Sequence, residues 1–155
     1  MEVVSVRRGS SDDEAWIRSL MPRLHAFGPP AYRDVASMNE AEAAATAAAL
    51  EGSEERVVFV AIDEAGNRMG FVHLETAVDF FTHERHGHIS TLVVSPQHER
   101  RGIGRALLDA AEAWCRERQY RLLTLHVFEH NESARRLYTR AGFQIDTIKY
   151  LKQIS

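Results

Sequence analysis

The densest chemistry in this chain lies between His88 and Trp114, in the stretch HISTLVVSPQHERRGIGRALLDAAEAW. A β-branched apolar run meets a turn carrying Gly102 and Gly104, and a helix-forming segment starts there. Glycine lets a backbone come close to a ligand. The first N–H groups of a helix lack intrahelical acceptors and favour an anion. Arg100, Arg101 and Arg105 bring positive charge to the same place. Such a turn can cradle a pyrophosphate, or it can be a tight strand-to-helix connection whose arginines are merely solvated. A dinucleotide-binding fingerprint would need a third glycine where Leu107 stands, and a Walker loop would need a Gly-Lys-Ser/Thr triplet, which is absent.

Three other groups of residues could carry chemistry. Cys115 is the single cysteine, so no intramolecular disulfide can form, and its place in an apolar helical stripe favours packing over a nucleophile. His83, His86 and His88 lie close together, but no partner cysteine or second histidine pair stands at structural-zinc spacing, so no metal is expected. Phe71, His73 and Glu75 share one face of a predicted strand by period two.

The elements that must position these groups follow from periodicity and punctuation. Strands are predicted at 3–8, 57–62, 69–78, 88–95 and 122–128, with one last strand or hairpin over 143–154. Helices are predicted from Ser10 to before Gly28-Pro29-Pro30, from Asn39 to Glu51, from Gly102 to Gln119 and from Asn131 to Ala141. Consecutive strands from 57 to 95 should be antiparallel, and the strand–helix–strand unit from 88 to 128 should be parallel and right-handed. The fold class is therefore α/β (α+β mixed sheet), with helices on both faces. A length of 155 residues suits one domain, 1–155. A net charge of −3 argues against nucleic acid as partner. No apolar run is long enough for a membrane span or a signal peptide, so a cytoplasmic protein is expected.

The Gly102 turn resembles the signature of the GCN5-related N-acetyltransferases, Gln/Arg-x-x-Gly-x-Gly/Ala. The later stretch LLTLHVFEHNESARRLYTRAGF resembles the second block of that family, a strand followed by Asn-x-x-Ala, Leu-Tyr and Gly-Phe. The blocks stand in the family's order and spacing and span roughly residues 88 to 145. One departure is clear: Glu99 stands where the family has Gln or Arg, and Arg100 follows where Gly is common. A carboxylate there would repel a pyrophosphate.

The resemblance implies a mostly antiparallel sheet with a parallel, splayed strand pair, and transfer of an acetyl group from acetyl-CoA to a primary amine. It implies that Leu92-Val93-Val94 receives the pantetheine arm as an added strand, through the main chain of Leu92 and Val94, with a strand N–H near Val94 stabilising the carbonyl oxygen. Main-chain N–H groups from Glu99, Arg100, Arg101, Gly102, Ile103 and Gly104 to Arg105 would hold the pyrophosphate. Asn131, Ser133 and Ala134 would line the pantetheine groove, although Asn131 is also a favoured helix N-cap. Tyr138 matches the family's general acid, a phenol able to serve the departing thiolate. His88 lies where some members carry a catalytic Glu, and Glu75 on the neighbouring strand is the other candidate base; a dedicated base is not required. Acceptor walls are expected near 27–38 and 79–87, where Asp34, Asp79 and Glu84 could attract a cationic amine. The acceptor is a small-molecule or peptide amine, a homodimer is plausible, and a non-catalytic acyl-CoA-binding module is the alternative of a different class.

Overall fold

The structure, a computed structural model, describes residues 4–155. Its centre is a five-stranded sheet in the order β1-β2-β3-β4-β5: Ser5–Arg8, Arg56–Ile62, Arg68–Val78, Arg85–Val94 and Leu123–Leu125. The first four are antiparallel in sequence, and β5 joins β4 in parallel. The crossover between β4 and β5 is the helix α3, Ile103–Glu117, as a parallel pair requires. Val3, the first residue of the expected opening strand, lies outside the described residues.

The central strands are apolar on both faces because helices cover both. Val57, Ala61, Val72, Leu74 and Ile89 face α3, meeting Leu107, Leu108, Ala111 and Trp114. Residues of α4 (Glu132–Arg140) pack on the same side through Leu137 and Tyr138. Val58, Val60, Phe71 and Val93 face the other way, against α1 (Glu14–Leu20) and α2 (Val35–Leu50). A bulge where Thr91 opposes His73 but Ile89 opposes Leu74 leaves Ser90 without a partner in the register. It switches the parity of β4: His88 and then Thr91 point toward α1 and α2.

Several boundaries differ from the sequence reading for local reasons. Pro22 interrupts the first helical stretch, which runs as a 3-10 turn at Ser11–Asp13, then α1, then a second 3-10 turn at Met21–His25. The second helix starts earlier because Asp34 caps it, its carboxylate accepting from the N–H of Ser37 at 3.1 Å. β4 starts at Arg85, so the expected polar connection shrinks to a hairpin turn around residues 79–84. The expected last strand over 143–154 is not formed. That segment has no ladder partners, and Ile145, Ile148, Tyr150, Leu151 and Ile154 are exposed. Its alternation of apolar residues is real; what is missing is a neighbouring strand.

Cys115 sits inside the α3-side core. A Cβ on Gly87 would lie 2.4 Å from its Sγ, so the thiol packs directly against β4. Burial pushes the Cys115 thiol up from its ordinary value, which disfavours the thiolate a nucleophile needs.

Candidate active site

β4 and β5 are paired only from Gly87–Leu123 to Ile89–Leu125. Beyond that point the strands part, and residues 90–94 of β4 have no strand on their β5 side. The parting opens a cleft of ≈140 Å³ through the sheet. This is smaller than a typical ligand pocket. Ser90, Thr91 and Leu92 form one wall; Leu125, His126 and Val127 form the other. From the α4 side come Asn131, Ala134 and Tyr138, and from the α1–α2 side come Leu24, His25, Phe27 and Glu42. The cleft therefore joins the two faces of the molecule.

On the α4 side, Asn131 caps the helix: its Oδ1 accepts from the N–H of Ala134 at 3.4 Å. The cap leaves the amide NH2 for the cleft, so both roles read from the sequence are compatible. Tyr138 lies two turns further on, and burial pushes its phenol up to about 12. It stays protonated at any working pH. Ser133 is exposed in the first turn of α4.

The turn before α3 is built as a strand-to-helix junction. Arg100 and Gly102 have φ of 62° and 78°, and Gly102 is the N-cap of α3. A Cβ on Gly102 would meet nothing within 4 Å, so glycine is needed there for its backbone angle. Gly104 serves packing instead: a Cβ would come within 3.1 Å of Leu137, so it lets α4 close onto α3. Ile103 anchors the turn in the core, 1% exposed. Arg105 pairs with Asp109 at 3.1 Å. Leu92 and Val94 lean toward the α3 core, whereas Val93 is buried against the α1–α2 layer. The carbonyl of Val94 accepts a hydrogen bond from Arg23 Nε at 2.9 Å, and the guanidinium of Arg23 also pairs with Glu99.

The two candidate bases stand directly opposite each other, Glu75 on β3 against His88 on β4. Neither lines the cleft. Glu75 Oε1 lies 3.1 Å from His73 Nε2, and His88 Nδ1 lies 2.8 Å from Thr124 Oγ1. Burial, with His126 and His86 nearby, holds His88 below its ordinary value. His88 reaches the cleft through His126, the ring centroids being 5.3 Å apart.

Cleft residues that the sequence reading missed include His25, Glu42 and His126. His126 follows Thr124 by two on the predicted strand, so period two could have placed it beside His88. Nothing in the pattern marked His25 and Glu42, which come from different helical segments. His25 Nε2 lies 3.5 Å from Glu42 Oε1. Its ring is nearly fully buried, and neither nitrogen has a hydrogen-bond partner. Burial pushes His25 down and Glu42 up from their ordinary values. The expected acids are engaged elsewhere: Asp34 caps α2, Asp79 accepts from the N–H groups of Phe81 and Thr82, and Glu84 pairs with Arg121. No group of three or more metal-ligating side chains assembles among the described residues, and no helix there is long and apolar enough to cross a membrane.

A larger, shallow depression lies on the outer side of α4, between Glu132, Arg135, Arg136, Thr139 and Arg140. Arg135 and Arg136 there are paired with Glu129 and Glu132. It shares no residue with the cleft; among the described residues, only in the cleft do a phenol, an imidazole and a carboxylate line a gap between strands.

Comparison with known proteins agrees with this architecture. The acetyltransferase (GNAT) family pattern matches residues 16–143. The chain is 31% identical to the uncharacterised N-acetyltransferase YhfO of Bacillus subtilis (strain 168), over 93% of this chain and 92% of that protein. The aminoglycoside N-acetyltransferase AAC(6')-Iy, solved in complex with CoA, superposes with a TM-score of 0.73 at 18% identity, covering 99% of this chain and 97% of that one. A ribosomal-protein-alanine N-acetyltransferase from Brucella melitensis biovar Abortus 2308 superposes with a TM-score of 0.70 at 20% identity, covering 98% and 100%. With the family pattern spanning the turn, the parted strands and the Tyr138 helix alike, this chain belongs to the acetyltransferase (GNAT) family, and acetyl-CoA is its acyl donor.

Proposed function

We propose that the chain acetylates a small, cationic primary amine by direct attack in a ternary complex, with acetyl-CoA entering from the α3–α4 side and the amine from the α1–α2 side. The observation that carries this reading is the cleft itself, which sets Tyr138 across the parted strands from His25, Glu42 and His126. The turn at 99–105 would hold the pyrophosphate, and the free edge of β4 beyond Ile89 would receive the pantetheine arm. The amine nitrogen attacks the acetyl carbonyl carbon, the C–S bond breaks, the nitrogen loses a proton and the sulfur gains one. Positioning both substrates in one site supplies much of the rate.

Tyr138 faces a thiol leaving group whose ordinary pKa is near 8.5. With the phenol at about 12, full proton transfer to a thiolate runs uphill by roughly 5 kcal/mol. Tyr138 therefore acts as a hydrogen-bond donor that stabilises the developing charge on sulfur, and complete transfer follows from the more acidic ammonium. On the other side, His126, backed by His88, is placed to take the amine's proton. Glu42 meets the incoming cation, whose charge favours the ionised carboxylate that burial alone disfavours.

An amine panel tests this reading, with CoA release as readout. Glu42→Gln should raise the KM of a cationic amine about tenfold while kcat stays within about twofold, because one charge-assisted contact is lost from binding. An unchanged KM would remove Glu42 from acceptor recognition. Release of CoA only with peptides bearing a free N-terminus would move the acceptor to a protein amine. Binding of acetyl-CoA without transfer to any amine would favour the non-catalytic module.

A homodimer is part of the same proposal. β5 ends the sheet with an edge able to accept a strand, and Ile145, Ile148, Tyr150, Leu151 and Ile154 of the C-terminal segment are exposed. Light scattering should give twice the 17.5 kDa chain mass; the mass of one chain would refute the dimer.

A further inference from the structure

We propose that Arg23 is a positioning residue for the acyl donor: it masks the Glu99 carboxylate so that the turn can accept a pyrophosphate. The inference rests on the reading that this turn binds the pyrophosphate. Glu99 is the one residue of the turn whose charge opposes that task. Its side chain is half-exposed and would otherwise project a full negative charge beside the N–H groups of residues 100–105.

Arg23 is well placed to cancel that charge. It comes from the 3-10 turn Met21–His25, on the opposite layer of the molecule and 76 residues away in sequence (99 − 23). Its guanidinium pairs with Glu99, while its Nε donates to the carbonyl of Val94 at 2.9 Å. The second bond fixes the guanidinium at the end of β4, so the pairing does not depend on two long side chains finding each other in water. An exposed ion pair lacking such an anchor contributes little. Arg100 is a further cation of the turn, and Arg105 is shared with Asp109. With Glu99 neutralised, the turn presents net positive charge and unpaired helix N–H groups to an anion.

The same contact ties the donor site to the acceptor wall. Arg23 lies two residues before His25, which faces the amine end of the cleft. One short helical turn thus carries a residue for each substrate.

The test is a double-mutant cycle on acetyl-CoA affinity, measured by calorimetry on the full chain. Arg23→Ala should weaken binding about tenfold by exposing one charge to the diphosphate, a deficit that shrinks as salt rises. Glu99→Gln should improve Arg23→Ala by about tenfold, far more than it changes the wild type, because the two sites are coupled. Thermal melting of each variant controls for loss of fold. A purely structural role for Arg23 would leave the double variant as weak as Arg23→Ala, and that result would overturn the proposal. Undiminished affinity in Arg23→Ala would do the same. If wild-type protein itself binds no acetyl-CoA, the reading of the turn fails first, and the masking falls with it.

Discussion

Tyr138→Phe should lower kcat by about a hundredfold to a thousandfold and leave acetyl-CoA affinity within about twofold, in line with the usual contribution of a positioned acid or donor. The substitution removes one oxygen from a ring that packs edge-on against Phe143, centroids 5.7 Å apart, so the wall of the cleft keeps its shape. The pH profile provides a second signature. Because burial pushes the phenol up to about 12, kcat/KM in the wild type should rise with deprotonation of the amine and its proton acceptor and then stay flat past pH 10. An alkaline fall near pH 9 to 10 would mean that Tyr138 titrates like an ordinary phenol in the free enzyme. Equal kcat in Tyr138→Phe would remove it from the chemistry.

The largest stability effect is expected at Asp13. Its carboxylate is fully buried and receives Arg7 at 2.8 and 2.9 Å, Arg68 Nε at 2.7 Å and the N–H of Ser10 at 2.9 Å. These bonds tie β1, β3 and the entry to α1 together. Asp13→Asn removes the charge that both arginines answer. A broken buried pair costs about 3–5 kcal/mol. Both arginines are more than a third exposed and can regain water, so about 2 kcal/mol is the better expectation. That corresponds to a fall in Tm of about 4–8 °C for a chain of this size. The Arg7 hydrogen bond, followed by that of Arg68, holds the Asp13 carboxyl well below its ordinary value. A depressed pKa in the folded state gives stability that is complete above the unfolded value, about 3.9, and lost as pH falls toward the folded value. The gap between wild type and Asp13→Asn should therefore be constant from pH 5 to 8 and shrink progressively as pH falls below about 4. A gap of undiminished size at pH 2 would show that packing, not charge, makes the difference.

The parts of this site that are contiguous in sequence were legible there. The strand, turn and helix around Gly102, the Asn131 cap and Tyr138 two turns later are set by local spacing, and the structure holds them on one side of the parted strands. Residues joined only by the tertiary fold were not legible. His25 and Glu42 meet because Pro22 and the Asp34 cap set the ends of two helical segments, which no periodicity connects. The Glu99 departure looked like a defect in the turn, since its partner Arg23 stands in another layer. The acids Asp34, Asp79 and Glu84 looked available for a cation, but each satisfies a helix end, a turn or an arginine close by. The apolar residues over 143–154 suggested a strand that does not form, because pairing depends on a neighbour that local sequence does not specify.

The most direct test of the account is a calorimetric titration of acetyl-CoA into the wild-type protein, with NADH as the control diphosphate. The account predicts one saturable acetyl-CoA site per chain of micromolar affinity and no comparable heat from NADH. Equal binding of both would make the turn a general diphosphate site, and absence of acetyl-CoA binding would contradict the assignment of the cleft between β4 and β5 as the acyl-donor site.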